Sequence, residues 1–317
     1  MRNFRSEEQY RNYGFWNNPT QEGINETHIS IAGTGGAGHE FGVKAARMGV
    51  QYFSVADPEV FERANSNRII GVNEDTINRN KAVVMKEDIL AINPDAQVTV
   101  YEDGVTTDNI DEFLHPAHIV LNATELSMPH LGAMVCRESR QRIVNGEHSP
   151  LPVLDIEYIA HAGQVTAFDP HSRMTFERLM GIKGGDNAPY NEIAEQSIDP
   201  SRYLAYLPPY GDIRTLEAIR DGAPLPSNVI GAGVAAQLGL AELLKHIRAR
   251  SGERGLRPTF APHVRWADVY TGKSGTTGLP MASYYRHLAG VAVRNLAKRH
   301  EPASYTPEAR AARGDLD

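Results

Sequence analysis

The sequence is almost without cysteine. One residue, Cys136, serves 317 positions, so no disulfide can close within the chain and no zinc site can be built from cysteine pairs. That suits a reducing compartment, and a cytoplasmic protein is expected. A basic excess is also missing. The formal net charge of -7 argues against a broad nucleic-acid or membrane-surface role, which needs a cationic face, but leaves room for a local basic pocket. Long apolar runs are absent too. The longest mostly apolar stretch, Val229 to Leu244, contains Gln237 and Glu242 and reads as a buried helix rather than a membrane span. The opening "MRNFRSEEQYRN" lacks the apolar core of a secretory signal, and no internal repeat is visible.

What is present is an ordinary globular mixture, 41% hydrophobic and 22% charged, over a length that supports a full core. "THISIAG" (27–33), "QYFSVAD" (51–57), "QVTVYEDGV" (97–105), "AHIVLNAT" (117–124), "LPVLDIEYIA" (151–160) and "GQVTAFDP" (163–170) read as strands. Helical spacing separates them over 36–49, 78–93 and 128–143. Such alternation predicts an α/β fold: a Rossmann-like, doubly wound, mostly parallel sheet. Residues 1–26 form an N-terminal arm, 27–170 a nucleotide-binding core, and 171–227 a long irregular crossover of the kind that serves as lid or binding loop. Residues 228–299 return to the same domain with helices over 229–248 and 282–298, and 300–317 read as a flexible tail.

"GTGGAG" places Gly33, Gly35 and Gly38 in a GxGxxG pattern between a strand and a helix. Glycines there let the backbone approach a phosphate, and the helix N-terminus offers it unpaired N–H groups. Asp57 ends the next strand, where a carboxylate can accept hydrogen bonds from ribose hydroxyls; as a plain structural residue it would cap a loop. This much fits NAD as well as ATP. Asn65, Asn67, Arg68 and Lys81 follow, and such cations suit a triphosphate whose charge must be held while a phosphoryl bond breaks; as isolated residues they would be solvated surface charges.

Taken together, "IAGTGGAG", "VADPEVFERANSNR", "NRNKAVVMKEDILAINP", "IVLNATE" and "GQVTAFDP" resemble the ThiF/MoeB/HesA superfamily, which includes the adenylation domains of ubiquitin-activating enzymes. The resemblance runs from about Arg11 to Pro170, with a weaker echo in "NVIGAGVAAQLGLAELLK". It implies an ATP- and Mg2+-dependent adenylyltransferase that converts a carboxylate to an acyl-adenylate and releases pyrophosphate. The carboxylate would belong to a ubiquitin-like protein, a peptide, or a small or tRNA-borne acid. By position, Gly33, Gly35, Gly36, Gly38 and Glu59 would line the nucleotide pocket and Asp57 would hold the ribose. Asn65, Arg68 and Lys81 would hold phosphates, and Glu125 stands where the family has its magnesium-binding aspartate. Arg11 sits where family dimers send an arginine into the neighbouring ATP site, so a homodimer is expected.

Three departures accompany the resemblance. Glu125 and Asn122 replace two aspartates, the zinc CxxC pairs are missing, and residues 171–227 hold no cysteine for a thioester. Cys136 reads as a buried helix residue, so transfer without an enzyme thioester is expected. An NAD(P)-dependent oxidoreductase and a non-catalytic binding protein of the same fold are the alternatives.

Weaker signals remain. Glu112, His115 and His118 have metal-like spacing but are broken by Pro116, which favours surface histidines. His39 follows the glycine loop and could touch phosphate or pack locally. "YLAYLPPYGD" (203–212) fits an aromatic groove for a peptide or a proline-bent packed loop, and "HIRARSGERGLR" (246–257) reads as the solvated end of a helix.

Overall fold

The short apolar runs up to Asn122 become strands, each followed by a helix that packs on the sheet, whereas Val153–Ile159 turns directly into the next strand. The computed structural model describes residues 10–12, 15–208, 226–253, 255, 257–278 and 280–297. After a 3-10 turn at Tyr10–Asn12 come α1 (Asn18–Glu26), β1 (His28–Ala32), α2 (Gly36–Met48), β2 (Tyr52–Ala56), α3 (Lys81–Ile92) and β3 (Gln97–Tyr101). Next are α4 (Ile110–Leu114), β4 (Ile119–Asn122), α5 (Pro129–Gln141), the small hairpin β5 (Ile143–Val144) and β6 (Glu147–His148), β7 (Val153–Ile159) and β8 (Ala162–Phe168). Then α6 (Phe176–Met180), α7 (Tyr190–Ala194), α8 (Val229–Arg250), β9 (Val264–Asp268), β10 (Lys273–Thr277) and α9 (Pro280–Ala297) complete the described chain.

Eight strands form one sheet in the order β10-β9-β8-β7-β4-β1-β2-β3. The run from β3 to β7 is parallel, whereas β8, β9 and β10 join antiparallel to it and to each other. Alternation along β7 sends Leu154 and Ile156 to the face covered by α2 and α8, and Val153 and Ile159 to the face covered by α5 and residues 203–207. The anchor of the first face is α8, capped by the Asn228 side chain on the N–H groups of Ile230 and Gly231. Its stripe of small residues lets it lie close to the sheet. A Cβ on Gly163 would meet the Ala235 backbone at 2.3 Å.

Several expectations change. The helix expected from residue 78 begins at Lys81, because Asn80 caps it by accepting from Ala82 and Val83 N–H. Asn78 lies at φ 64, outside any helix. The antiparallel edge strands β9 and β10 are unmarked in the sequence, since Arg265, Asp268 and Lys273 interrupt their apolar pattern. Within 171–208 the irregular segment contains α6, α7 and a buried run, Tyr203 to Leu207. Tyr206 stacks on Trp266 at 4.2 Å between ring centroids, and its hydroxyl donates to Asp268 at 2.7 Å. "YLAYL" is thus core rather than an open groove; residues 209–225, with the rest of that motif, lie outside the described residues. Among the described residues, no helix is long and apolar enough to cross a membrane.

Candidate active site

β1 feeds β2 on one side and pairs with β4 on the other, so the order of connections reverses between β1 and β4. At such a switch point the loops leaving neighbouring strands part and open a crevice at the carboxyl edge. Here that crevice encloses ≈ 170 Å³. Its walls come from the loops after β1, β2 and β4 and from the end of β7, and they include Gly33, Gly35, Gly36, Asp57, Glu59, Arg68, Lys81, Glu125, Glu157 and Tyr158.

The glycines of the loop are required for different reasons. Gly33 has φ +89, and a Cβ on it would sit 2.5 Å from the Ala123 carbonyl oxygen. A Cβ on Gly38 would collide with the Gly33 carbonyl oxygen at 2.0 Å. Gly35 is the exception: a Cβ there meets no protein atom within 4 Å and points into open space. Packing does not demand glycine at that position. Gly35 is also the N-cap of α2 and gives no side-chain cap, in contrast to Asn17, Asn80 and Asn228 at the starts of α1, α3 and α8. The first turn of α2 therefore keeps N–H groups for an anion.

Asp57 closes the opposite wall. Its Oδ2 accepts from the Thr34 N–H at 2.7 Å and hydroxyl at 3.1 Å, and its Oδ1 from the Glu59 N–H at 3.0 Å. Burial raises its pKa, and the two backbone donors oppose that rise. A carboxylate has about four acceptor sites, so these bonds leave capacity for a ligand hydroxyl. Lys81 is buried, and its ammonium pairs with the exposed Glu59 carboxylate. Arg68 donates to the Ala64 carbonyl at 3.1 Å and to Asn67 Oδ1 at 3.0 Å. It also bonds the Tyr158 hydroxyl.

The far wall is acidic. Glu125 is exposed just past β4, with one oxygen accepting from the Ser127 hydroxyl at 3.0 Å. Asp155 is buried on β7 in register with Asn122, whose amide donates to it at 2.6 Å. Burial pushes Asp155 up to about 7. Glu157 follows on the same face of β7, raised by burial and by the neighbouring Asp155 and Glu125 charges.

The structure brings Gly33, Gly35, Gly36, Asp57, Glu59, Arg68, Lys81 and Glu125 to one crevice and leaves Gly38, Asn65 and Arg11 off its walls. Asn65 is buried, and its carbonyl accepts from the Glu62 N–H at 3.1 Å, bracing the turn that carries Arg68. Asn67 ties that turn to the start of α8, donating to the Ser227 carbonyl at 3.0 Å and accepting from the Val229 N–H at 2.9 Å. Arg11 belongs to the segment packed on α1. That helix contacts the Met48 end of α2 and the Ser251 end of α8, at the edge of the sheet remote from the crevice. His39 is fully buried against Asp88 at 2.7 Å and does not line the crevice. Cys136 is buried, and burial raises its thiol pKa far above the ordinary value. Among the described residues, no group of three His, Cys, Asp or Glu side chains could hold a metal, and His118 instead accepts from the His28 N–H at 3.0 Å. Sequence reasoning missed Glu157 and Tyr158, because nothing local marks a polar residue on a strand as facing a crevice, and it missed Thr34, which braces Asp57 from the glycine loop.

A phosphate loop at a switch point, an acid ending the second strand and two cations between them define a nucleotide-binding α/β enzyme of the adenylyltransferase class. The chain belongs to the ThiF family, whose model matches residues 7–282. It is 24% identical over 241 residues to the tRNA threonylcarbamoyladenosine dehydratase of Escherichia coli strain K12, covering 73% of this chain and 89% of that protein. It is 27% identical over 105 residues to the sulfur carrier protein ThiS adenylyltransferase of the same strain, covering 33% of this chain and 42% of that one. Among solved structures, E. coli MccB with ATP superposes with a TM-score of 0.56 at 16% identity, over 82% of this chain and 66% of that one. PaaA gives 0.56 at 14% identity with the same coverage. This chain thus spans about two thirds of the length of those two structures, and the likeness is one of fold.

Proposed function

We propose that the protein adenylates a carboxylate with ATP and passes the acyl group on without forming an enzyme thioester. The observation that carries this reading is Gly35, open to the crevice, with Arg68 and Lys81 in the same walls. The substrate carboxylate attacks the α-phosphorus of ATP. The bond from that phosphorus to the bridging oxygen breaks, and pyrophosphate leaves with the negative charge. Arg68 and Lys81 stabilise the charge that develops on the phosphoryl oxygens and the leaving group. The N–H groups of the loop and of the first turn of α2 hold the phosphates, and Asp57 with Glu59 receives the ribose hydroxyls.

Mg2+ is held in such sites by one or two carboxylates together with the phosphates themselves. Glu125 fits that donor set: it is exposed beside the crevice, with one oxygen engaged by Ser127. The ion, held by Glu125, would offset the negative charge of the phosphates.

The activated acid is a protein C-terminus, a peptide, or a small or tRNA-borne acid, and the acceptor is external, because Cys136 is sealed in the core. The working unit is a homodimer in which Arg11 serves the neighbouring crevice. Exchange of labelled pyrophosphate into ATP in the presence of candidate acids tests the reading. Exchange that depends on the acid and falls in Arg68→Ala supports it. Exchange in Arg68→Ala and Lys81→Ala as fast as in the parent would overturn the assigned roles.

A further inference from the structure

The parallel part of the sheet sets the direction in which a nucleotide lies. Asp57 follows β2, the glycine loop follows β1, Glu125 follows β4, and Glu157 lies near the end of β7. Neighbouring strands are about 4.8 Å apart, so β7 lies about 10 Å beyond the glycine loop, on the side away from the ribose acid. If the ribose rests at Asp57 and the phosphates at the loop, the acyl group lies over β4 and β7. Register raises Glu157 to the same place: Asp155 pairs with Asn122, the last residue of β4, and Glu157 stands two residues further towards the carboxyl edge.

Glu157 has no counter-charge there among the described residues. Among the described residues it makes neither an ion pair nor a side-chain hydrogen bond, and the charged groups acting on it are Asp155 and Glu125. Gln164, opposite it on β8, spends its amide on the Tyr203 carbonyl and on the Ala205 N–H. Arg68 reaches the Tyr158 hydroxyl, which belongs to the other face of β7. Lys81 is held by Glu59 across the crevice. A charged carboxylate beside a reacting carboxylate and a triphosphate would repel both. Only a substrate that brings its own positive charge turns that repulsion into attraction.

We propose that Glu157 is a specificity residue that pairs with an ammonium or guanidinium group carried by the acid being activated. This rests on the adenylation reading above and narrows its substrate to zwitterionic or basic acids. Among the described residues no other partner occupies the Glu157 carboxyl, so an arriving cation pairs with it on binding.

The test is pyrophosphate exchange with matched acids that differ by one cation: norleucine beside N-acetylnorleucine, N-acetyllysine beside N-acetylnorleucine, and N-acetylarginine beside N-acetylcitrulline. The parent is expected to favour the cationic member by about tenfold in kcat/KM, mainly through KM, and Glu157→Gln to reduce that preference to within about twofold. Calorimetric affinity for ATP and for Mn2+ is expected to be the same in both proteins. Exchange that prefers neutral acids, or a cationic preference that survives in Glu157→Gln, overturns the inference and leaves adenylation standing. Loss of Mn2+ affinity in Glu157→Gln overturns it in favour of a metal ligand. No exchange with either series would count against adenylation itself and remove this inference with it.

Discussion

Lys81 and Glu59 are joined twice. The Lys81 backbone N–H donates to the Glu59 carbonyl at 2.9 Å, and the buried ammonium pairs with the exposed Glu59 carboxylate. The pairing fixes a long, flexible side chain at the mouth of the crevice, so the cation is placed before any phosphate arrives. Lys81→Ala is expected to slow pyrophosphate exchange about 100-fold, the cost of losing one fixed donor to developing charge. Glu59→Gln keeps the lysine but loosens it, and a smaller loss, about tenfold, is expected in the same assay.

Gly35 separates binding from folding. It has φ -71, a conformation open to any residue, and its missing side chain faces empty space. Gly35→Val is expected to leave the melting temperature within about 2 °C of the parent, the change of a neutral surface substitution. ATP affinity measured by calorimetry should fall at least about tenfold. Gly38→Ala should do the reverse first, lowering the melting temperature, because its Cβ would meet the Gly33 carbonyl oxygen at 2.0 Å.

Asp155 gives a pH signature with a definite sign. Burial holds its pKa near 7, far above that of a carboxyl in the unfolded chain. Between about pH 4 and pH 7 the folded state therefore keeps a proton that the unfolded state has released, and rising pH through that window removes stability. Asp155→Asn has no such proton to lose and still accepts from the Asn122 amide through its carbonyl. Urea unfolding should show the variant gaining on the parent from pH 4 to pH 7, by on the order of 3 kcal/mol, and levelling off above. An equal or falling difference across that window would refute the assignment.

Arg11 lies at the edge of the sheet remote from its own crevice, so any role in catalysis requires a second chain. Arg11→Ala and Lys81→Ala chains should each be inactive alone. After mixing and subunit exchange, half of the dimers are mixed and carry one complete site, so about a quarter of the parent's exchange rate should return. No recovery, with mixed dimers shown to form, would exclude a role across the interface.

The crevice residues were legible to different degrees for physical reasons. Gly33 is fixed by a local backbone demand, and Gly35, Asp57, Arg68 and Lys81 follow it at set distances in one continuous stretch of sequence. Asn65 and Asn67 are in that segment too, yet Asn65 closes a local capping box with Glu62 and Asn67 docks the start of α8 through Ser227, a partner decided by packing. Glu157 and Tyr158 were invisible. Their neighbours on the crevice wall lie far away in sequence, and a strand of alternating polarity does not say which end of it reaches a ligand.

The sequence alone determined the alternation of strands and helices, the glycine loop and the order of charged residues behind it, since these depend on short-range periodicity and on backbone freedom. Only the tertiary structure decided which side chains face one another. Pairing β4 and β7 in register with β1 placed Glu125 and Glu157 on the far wall of a crevice whose near wall is Asp57 and Lys81. Packing α8 against β8 closed the sheet behind them, through a contact that only the small Gly163 allows. Strand order and register arise from long-range burial, and no local stretch of the chain encodes them.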